Sequence, residues 1–200
     1  MLVLDRLPYG TPLRLILGAG TQRWPGWIAT QQDDLDFLQP EGWANQFGER
    51  RASAFLCEHV WEHLTGEQGR AAAALCYRYL APGGFLRCAV PDANFPSAEY
   101  QRMAQPGGPG PADHPAADHK IVYDSRRFAA IFAEAGFTVD LLEWCDEAGR
   151  FHFNYWDPAD GPIYRSLRAD HRNQDGKLGF VSLILDAYKP RSVACPLSPT

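Results

Sequence analysis

The apolar run Leu13-Arg-Leu-Ile-Leu17 stops at Gly18-Ala-Gly20, and Trp27-Ile-Ala-Thr30 follows after only the eight residues Ala19–Gly26. Both runs read as short buried strands, the first closed by a glycine turn. A parallel crossover needs about a dozen residues or more. The helix that would occupy this crossover is therefore shortened or missing, and Trp24-Pro-Gly-Trp27 makes the connection as a turn.

Later segments alternate strand and helix. Pro40–Phe47 predicts a short helix with proline in its first turn. Ala52–Cys57 reads as a strand. Thr65 and Gln68 form a capping box for a helix over Gly66–Leu80, which Ala81-Pro-Gly-Gly84 should stop. Phe85–Val90 is the next strand. Residues 93–122 read as irregular, because the cluster Gln105–Pro111 fits neither a helix nor a central strand. Asp124 or Ser125 caps a helix running through Ala135, and Phe137–Trp144 returns as a strand. Turns fill 145–178, with hairpins expected near Gly149 and Asp175-Gly176. Val181–Tyr188 is the last strand. This alternation predicts an α/β protein with a mostly parallel sheet.

Composition removes several classes. Apolar residues make up 46% of the 200 and charged residues 22%, the balance of a folded globular chain rather than a disordered one. The net charge of −5 argues against a nucleic-acid partner. No apolar run reaches the ~18 residues that span a bilayer, so no membrane partner is expected. The first residues lack the basic and apolar regions of a signal peptide. Five cysteines without a CxxC pair read as buried thiols, and a cytoplasmic location is expected.

Three constellations carry candidate chemistry. Gly18-Ala-Gly20 lets a ligand approach the backbone at a strand end. Arg23 stands where a dinucleotide fingerprint needs its third glycine, and no Gly-Lys-Ser/Thr follows. Glu58-His59-Val-Trp-Glu62-His63 contains the His-x-x-Glu-His spelling of a zinc hydrolase. That motif belongs inside a helix, whereas here it follows a short strand and shows no third ligand. Zinc hydrolysis is thus disfavoured, no metal is expected, and Glu62 and His63 read as bracing the next helix start. Asp118-His119-Lys120 ends the Pro/Gly loop. His119 is a candidate acid or base, while His114 reads as a solvated loop residue.

Leu-Ile-Leu-Gly-Ala-Gly…Trp-Pro-Gly-Trp-Ile, Glu-His-Val-Trp-Glu-His-Leu and Leu-Ala-Pro-Gly-Gly-Phe-Leu-Arg together resemble class I S-adenosylmethionine-dependent methyltransferases. The likeness is to a small branch with a short opening and an EHxxEH segment, over about residues 13–190. It implies a Rossmann-like, twisted, three-layer α/β/α domain over 1–190, with an antiparallel last strand, order 3-2-1-4-5-7-6, and a loose tail at 191–200. By the resemblance, Gly18, Ala19 and Gly20 support the cofactor's methionine end. Thr30 and Gln31 stand where the family has an acid for the ribose, and Asp36 and Phe37 fall near the adenine loop. Glu58, His59 and Val60 lie beside the methionine part. Asp92, His63 and His119 are candidate catalytic groups, with Tyr123 as an orienter and the 104–118 loop as a lid. The implied activity is methyl transfer from S-adenosylmethionine to a small-molecule or saccharide-like acceptor. The alternative is a binding protein that keeps the fold without catalysis. The oligomeric state is left open.

Overall fold

The computed structural model describes residues 4, 8–107 and 115–191. Seven strands build one mixed sheet: β1 (Leu13–Ile16), β2 (Ile28–Ala29), β3 (Ala52–Glu58), β4 (Leu80–Pro91), β5 (Thr138–Cys145), β6 (Phe151–Phe153) and β7 (Ser182–Tyr188), in the order β2-β1-β3-β4-β7-β5-β6. β1 pairs in parallel with β2 and β3, and β3 with β4. β7 runs antiparallel between β4 and β5. This is a Rossmann-like α/β sheet with the expected antiparallel last strand. Turns alone join β1 to β2, closed by Gln22 N–H to Ala19 and Trp27 N–H to Trp24, so the first crossover helix is absent.

Helices α1 (Pro40–Phe47), α2 (Gly66–Tyr79) and α4 (Ser125–Glu134) cover one face. Trp43, Phe47, Ala72, Cys76, Tyr79, Phe128 and Phe132 pack there with Leu15, Phe55, Cys88 and Leu185. The predicted capping box forms on α2, and the Asp124 side chain caps α4.

The other face carries no long helix. Trp156 and Ile163, with the half-buried Trp24 and Trp27, pack on Ile16, Leu56, Ala89, Leu142 and Ile184. Residues 154–180 form this layer from turns and single 3-10 turns, so few of its backbone groups bond to each other. Buried charged side chains on the sheet bond to them instead. Arg87 Nη1 donates to the carbonyls of Asp157 and Gly161. The Glu58 carboxylate accepts from the Tyr164 and Arg165 amides at 2.9 Å each. The Glu143 carboxylate accepts from the Leu167 amide and the Trp156 indole. Arg87 is itself paired with Asp186, its register partner on β7, through two bonds of 2.8 Å.

Several expectations need correction. The Pro82-Gly-Gly84 segment does not stop α2. The chain turns extended at Leu80, and these residues enter β4 at a register irregularity. A Cβ on Gly84 would lie 2.8 Å from the Ser53 carbonyl, which explains the glycine. Among the described residues no strand lies beyond β2, so the implied order lacks its outermost strand, and β6 extends the opposite edge. Residues 30–39 hold only turns, too short for a further strand and its connection. Asp175-Gly176 ends a 3-10 helix (His171–Gly176) rather than a hairpin, whereas the Gly149 turn does join β5 to β6. The stretch 93–122 contains a helix, α3 (Ala98–Ala104), capped by Ser97. Residues 108–114 of the expected lid, His114 among them, and 192–200 of the tail lie outside the described residues.

Arg87→Ala strands the Asp186 carboxylate and releases the 157–161 backbone. Urea unfolding should show a loss of about 3–5 kcal/mol, the cost of breaking a buried pair from one side. Limited proteolysis should cut first within 154–167.

Candidate functional site

At the end of β1, Leu17 N–H bonds to Leu56, and the chain then turns through Gly18 and Gly20 at φ of +62° and +52°. A Cβ on Gly18 would meet Val60 Cγ2 at 2.7 Å, whereas one on Gly20 would meet nothing within 4 Å. Gly18 thus allows the turn to pack on β3's exit, and Gly20 faces open space. β3 leaves through Glu58 and then His59, which has a φ of +55°. It is the one non-glycine residue with positive φ among the described residues. Such conformations cost of order 1–3 kcal/mol and gather at functional sites. From β1 the chain passes to β2 on one side and returns to β3 on the other, so a topological switch point lies between β1 and β3. Open α/β sheets bind ligands there, beyond the carboxyl ends of the strands.

A cavity of about 1050 Å³ sits at this point. Gly18–Gln22, Glu58, His59, Glu62, His63 and His119 line it, with Tyr100 and Met103 from α3 and Tyr164, Arg165, Asp170, Arg172 and Phe180 from the irregular layer. The Glu58 carboxylate is fully engaged. Besides the two amides above, it accepts from Gln22 Nε2 and lies 3.4 Å from Arg165 Nη1. Asp170 is paired with Arg172, whose guanidinium stacks 3.5 Å from the Phe180 ring centre. His59 Nε2 reaches Ser182 Oγ at 3.0 Å. His119 and His63 meet edge to face with centres 5.0 Å apart. His119 Nδ1 donates to the Ala104 carbonyl at 3.0 Å. Burial lowers the His119 pKa, with that bond opposing.

Of the residues singled out from sequence, Gly18, Ala19, Gly20, Glu58, His59, Glu62, His63 and His119 come together around this cavity. The others do not line it. Thr30 is buried, and its hydroxyl donates to the Ile16 carbonyl. The Gln31 amide turns onto Gly20, donating to its carbonyl at 2.8 Å and accepting from its N–H at 3.2 Å. Asp36 accepts from the Leu38 amide, and Phe37 stacks on Trp61 at 5.7 Å. Val60 packs into the core. Asp92 is buried at the end of β4, where its carboxylate accepts from the Asn94 and Cys145 amides. It braces two strand ends rather than facing the cavity. Tyr123 is buried beside Phe128, its hydroxyl enclosed without a hydrogen bond. Sequence reasoning missed Gln22, Tyr164, Arg165 and Arg172. Their signal was indirect: a glutamate ending an apolar strand needs donors from elsewhere. A second cavity of about 700 Å³, lined by Arg87, Trp144, Tyr155 and Asp186 among others, contains none of the sequence-derived candidates.

No family model and no curated protein matches the chain. Among solved structures it is similar to a SAM-dependent methyltransferase from Archaeoglobus fulgidus, with TM-score 0.52 and 14% identity over 90% of this chain and 87% of that one. It is also similar to an O-methyltransferase family protein from Burkholderia thailandensis (TM-score 0.50, 10% identity, 97% of this chain and 54% of that one). A third is the CurJ carbon methyltransferase (TM-score 0.50, 16% identity, 94% and 51%). The chain spans about half the length of the last two. The likeness is one of fold: the chain has the Rossmann-like fold seen in SAM-dependent methyltransferases. No helix among the described residues is long and apolar enough to cross a membrane.

Burial pushes the Asp92 carboxyl up to about 6. Between about pH 4 and 6 the folded chain therefore keeps a proton that the unfolded chain has released. This contribution is full below pH 4 and is lost as pH rises through 6. Measured by urea midpoints, wild type should lose stability relative to Asp92→Asn across that window. A difference that does not change with pH would contradict the assignment.

Proposed function

We propose that the chain transfers a methyl group from S-adenosylmethionine to a small polar acceptor, with cofactor and acceptor together in the cavity between β1 and β3. The position of the cavity carries this reading. It lies at the switch point of a sheet whose fold is shared with SAM-dependent methyltransferases. Its volume is at the upper end of the roughly 300–1,000 Å³ common for ligand pockets, which suits two ligands.

The residues present fit the cofactor. Gly20 leaves its backbone open where a side chain would stand, so Gly18–Gly20 would support the methionine end. The Gln31 amide, held on the Gly20 backbone just outside the cavity lining, keeps one N–H and one lone pair that would meet a ribose hydroxyl extending past Gly20. When bound, the cofactor supplies an electrophilic sulfonium methyl. The chain's own work is alignment and exclusion of water. Because the Nδ1–H of His119 donates to a carbonyl, the neutral ring keeps the lone pair on Nε2. That nitrogen would accept a proton from the acceptor's hydroxyl or amine. A saccharide-like acceptor suits the histidine, tyrosine and arginine side chains of the wall.

A second reading, a binding protein without catalysis, is favoured by one observation: the ribose position offers Gln31 instead of an acid. Calorimetry with S-adenosylmethionine and its demethylated product tests both. We expect saturable binding with Kd below about 1 mM. Gly20→Val should weaken it at least tenfold, and His119→Ala should retain it while slowing turnover by about 10²–10⁴-fold. Binding without turnover on any acceptor would support the second reading. No heat at millimolar cofactor would sink both.

A further inference from the structure

Glu62 sits in the single 3-10 turn Trp61–His63 and is wholly buried. Neither of its carboxylate oxygens receives a hydrogen bond. His59 Nδ1 comes within 3.1 Å of Oε1, but without hydrogen-bond geometry. A buried carboxylate left in this condition calls for a cation. Two imidazoles converge on it. His63 is its chain neighbour, and His119 arrives from the far end of the Pro/Gly loop. One donor atom from each of Glu62, His63 and His119 lies within 4.8 Å of the other two. The backbone holds this meeting in place, since the Lys120 and Ile121 amides both donate to the Glu62 carbonyl, at 2.7 and 3.2 Å.

The imidazole chemistry is consistent with metal binding. The Ala104 carbonyl fixes the Nδ1 proton of His119 and leaves Nε2 as a donor. Metal-bound histidines commonly hold their other N–H on a carbonyl or carboxylate in this way. His63 Nδ1 faces the Asp118 carboxylate at 3.7 Å.

We propose that Glu62, His63 and His119 bind one divalent transition-metal ion. A carboxylate with two imidazoles suits Zn²⁺ or Fe²⁺. Donors bound to one tetrahedral ion at about 2.0–2.2 Å lie roughly 3.3–3.6 Å apart, so binding draws the three donor atoms together by up to about 1.5 Å. Three protein ligands leave a position open. All three residues line the cavity, so that position faces it. There it takes water or, given the proposed methyl transfer, the acceptor oxygen that His119 would otherwise meet directly.

The test is titration of the tag-free, chelator-treated full chain with Zn²⁺, and with Co²⁺ as a spectroscopic probe. We expect one ion per chain and a cobalt absorption band from mixed nitrogen and oxygen ligands. Glu62→Gln, His63→Ala and His119→Ala, each checked for folding by circular dichroism, should weaken binding by more than about 100-fold, the upper end for loss of even an outer partner. His152→Ala, on the far hairpin, should bind as wild type does. Binding below one ion per chain, or unchanged affinity in the three variants, would overturn the proposal. Cofactor calorimetry on the metal-free chain reads the other site separately, so failure of one is distinguishable from failure of the other.

Discussion

An irregular segment can lie on a sheet only if its backbone N–H and C=O groups find partners. Here those partners are charged side chains rising from the sheet itself. Glu58 on β3, Arg87 on β4 and Glu143 on β5 each hold backbone or indole groups of residues 156–167. Helices would have met this need internally. Without them, the sheet face depends on buried charges that are themselves compensated: Arg87 by Asp186, and Glu58 by Gln22 and Arg165. Apolar packing by Trp156 and Ile163 supplies the adhesion, while the charged groups fix where the segment lies.

The site follows from that arrangement. The missing first helix leaves the glycine turn uncovered, and the irregular layer walls the space in front of it. Glu58 is the point where they join: its carboxylate ties Gln22 of the turn to Tyr164 and Arg165 of the layer. Trp24 and Tyr164 stack across the same junction at 4.9 Å. On the other side, α3 and the returning loop bring Tyr100, Met103 and His119 to the cavity. The strained backbone of His59 lies between these two walls.

Much of the sheet was legible because local patterns determine it. Apolar runs marked the strands, Thr65 with Gln68 marked the start of α2, and the eight-residue spacing after Gly18 exposed the lost helix. The glycine turn and the Glu58–His63 segment were legible as a site for the same reason, since both sit at strand ends. What stayed hidden depends on contacts far apart in sequence. Nothing near His119 indicates that it returns to Glu62, so the third member of that cluster was invisible. Asp92 and Tyr123 have the right position in the chain for catalysis, but their environments tie one to backbone amides and enclose the other in the core. The helix-free layer had a readable trace: Arg87, Glu143 and Asp186 stand inside otherwise apolar strands, and each required a buried partner.

A ligand bound at the β1–β3 switch point, as proposed, would restrain the backbone there. Hydrogen–deuterium exchange with and without S-adenosylhomocysteine tests this directly. Exchange should slow in the segments around Gly18–Gln22 and Glu58–His63, with no change at Trp144 and Tyr155 beside the second cavity. Protection centred on Trp144 and Tyr155, or none at saturating ligand, would contradict binding at the switch point.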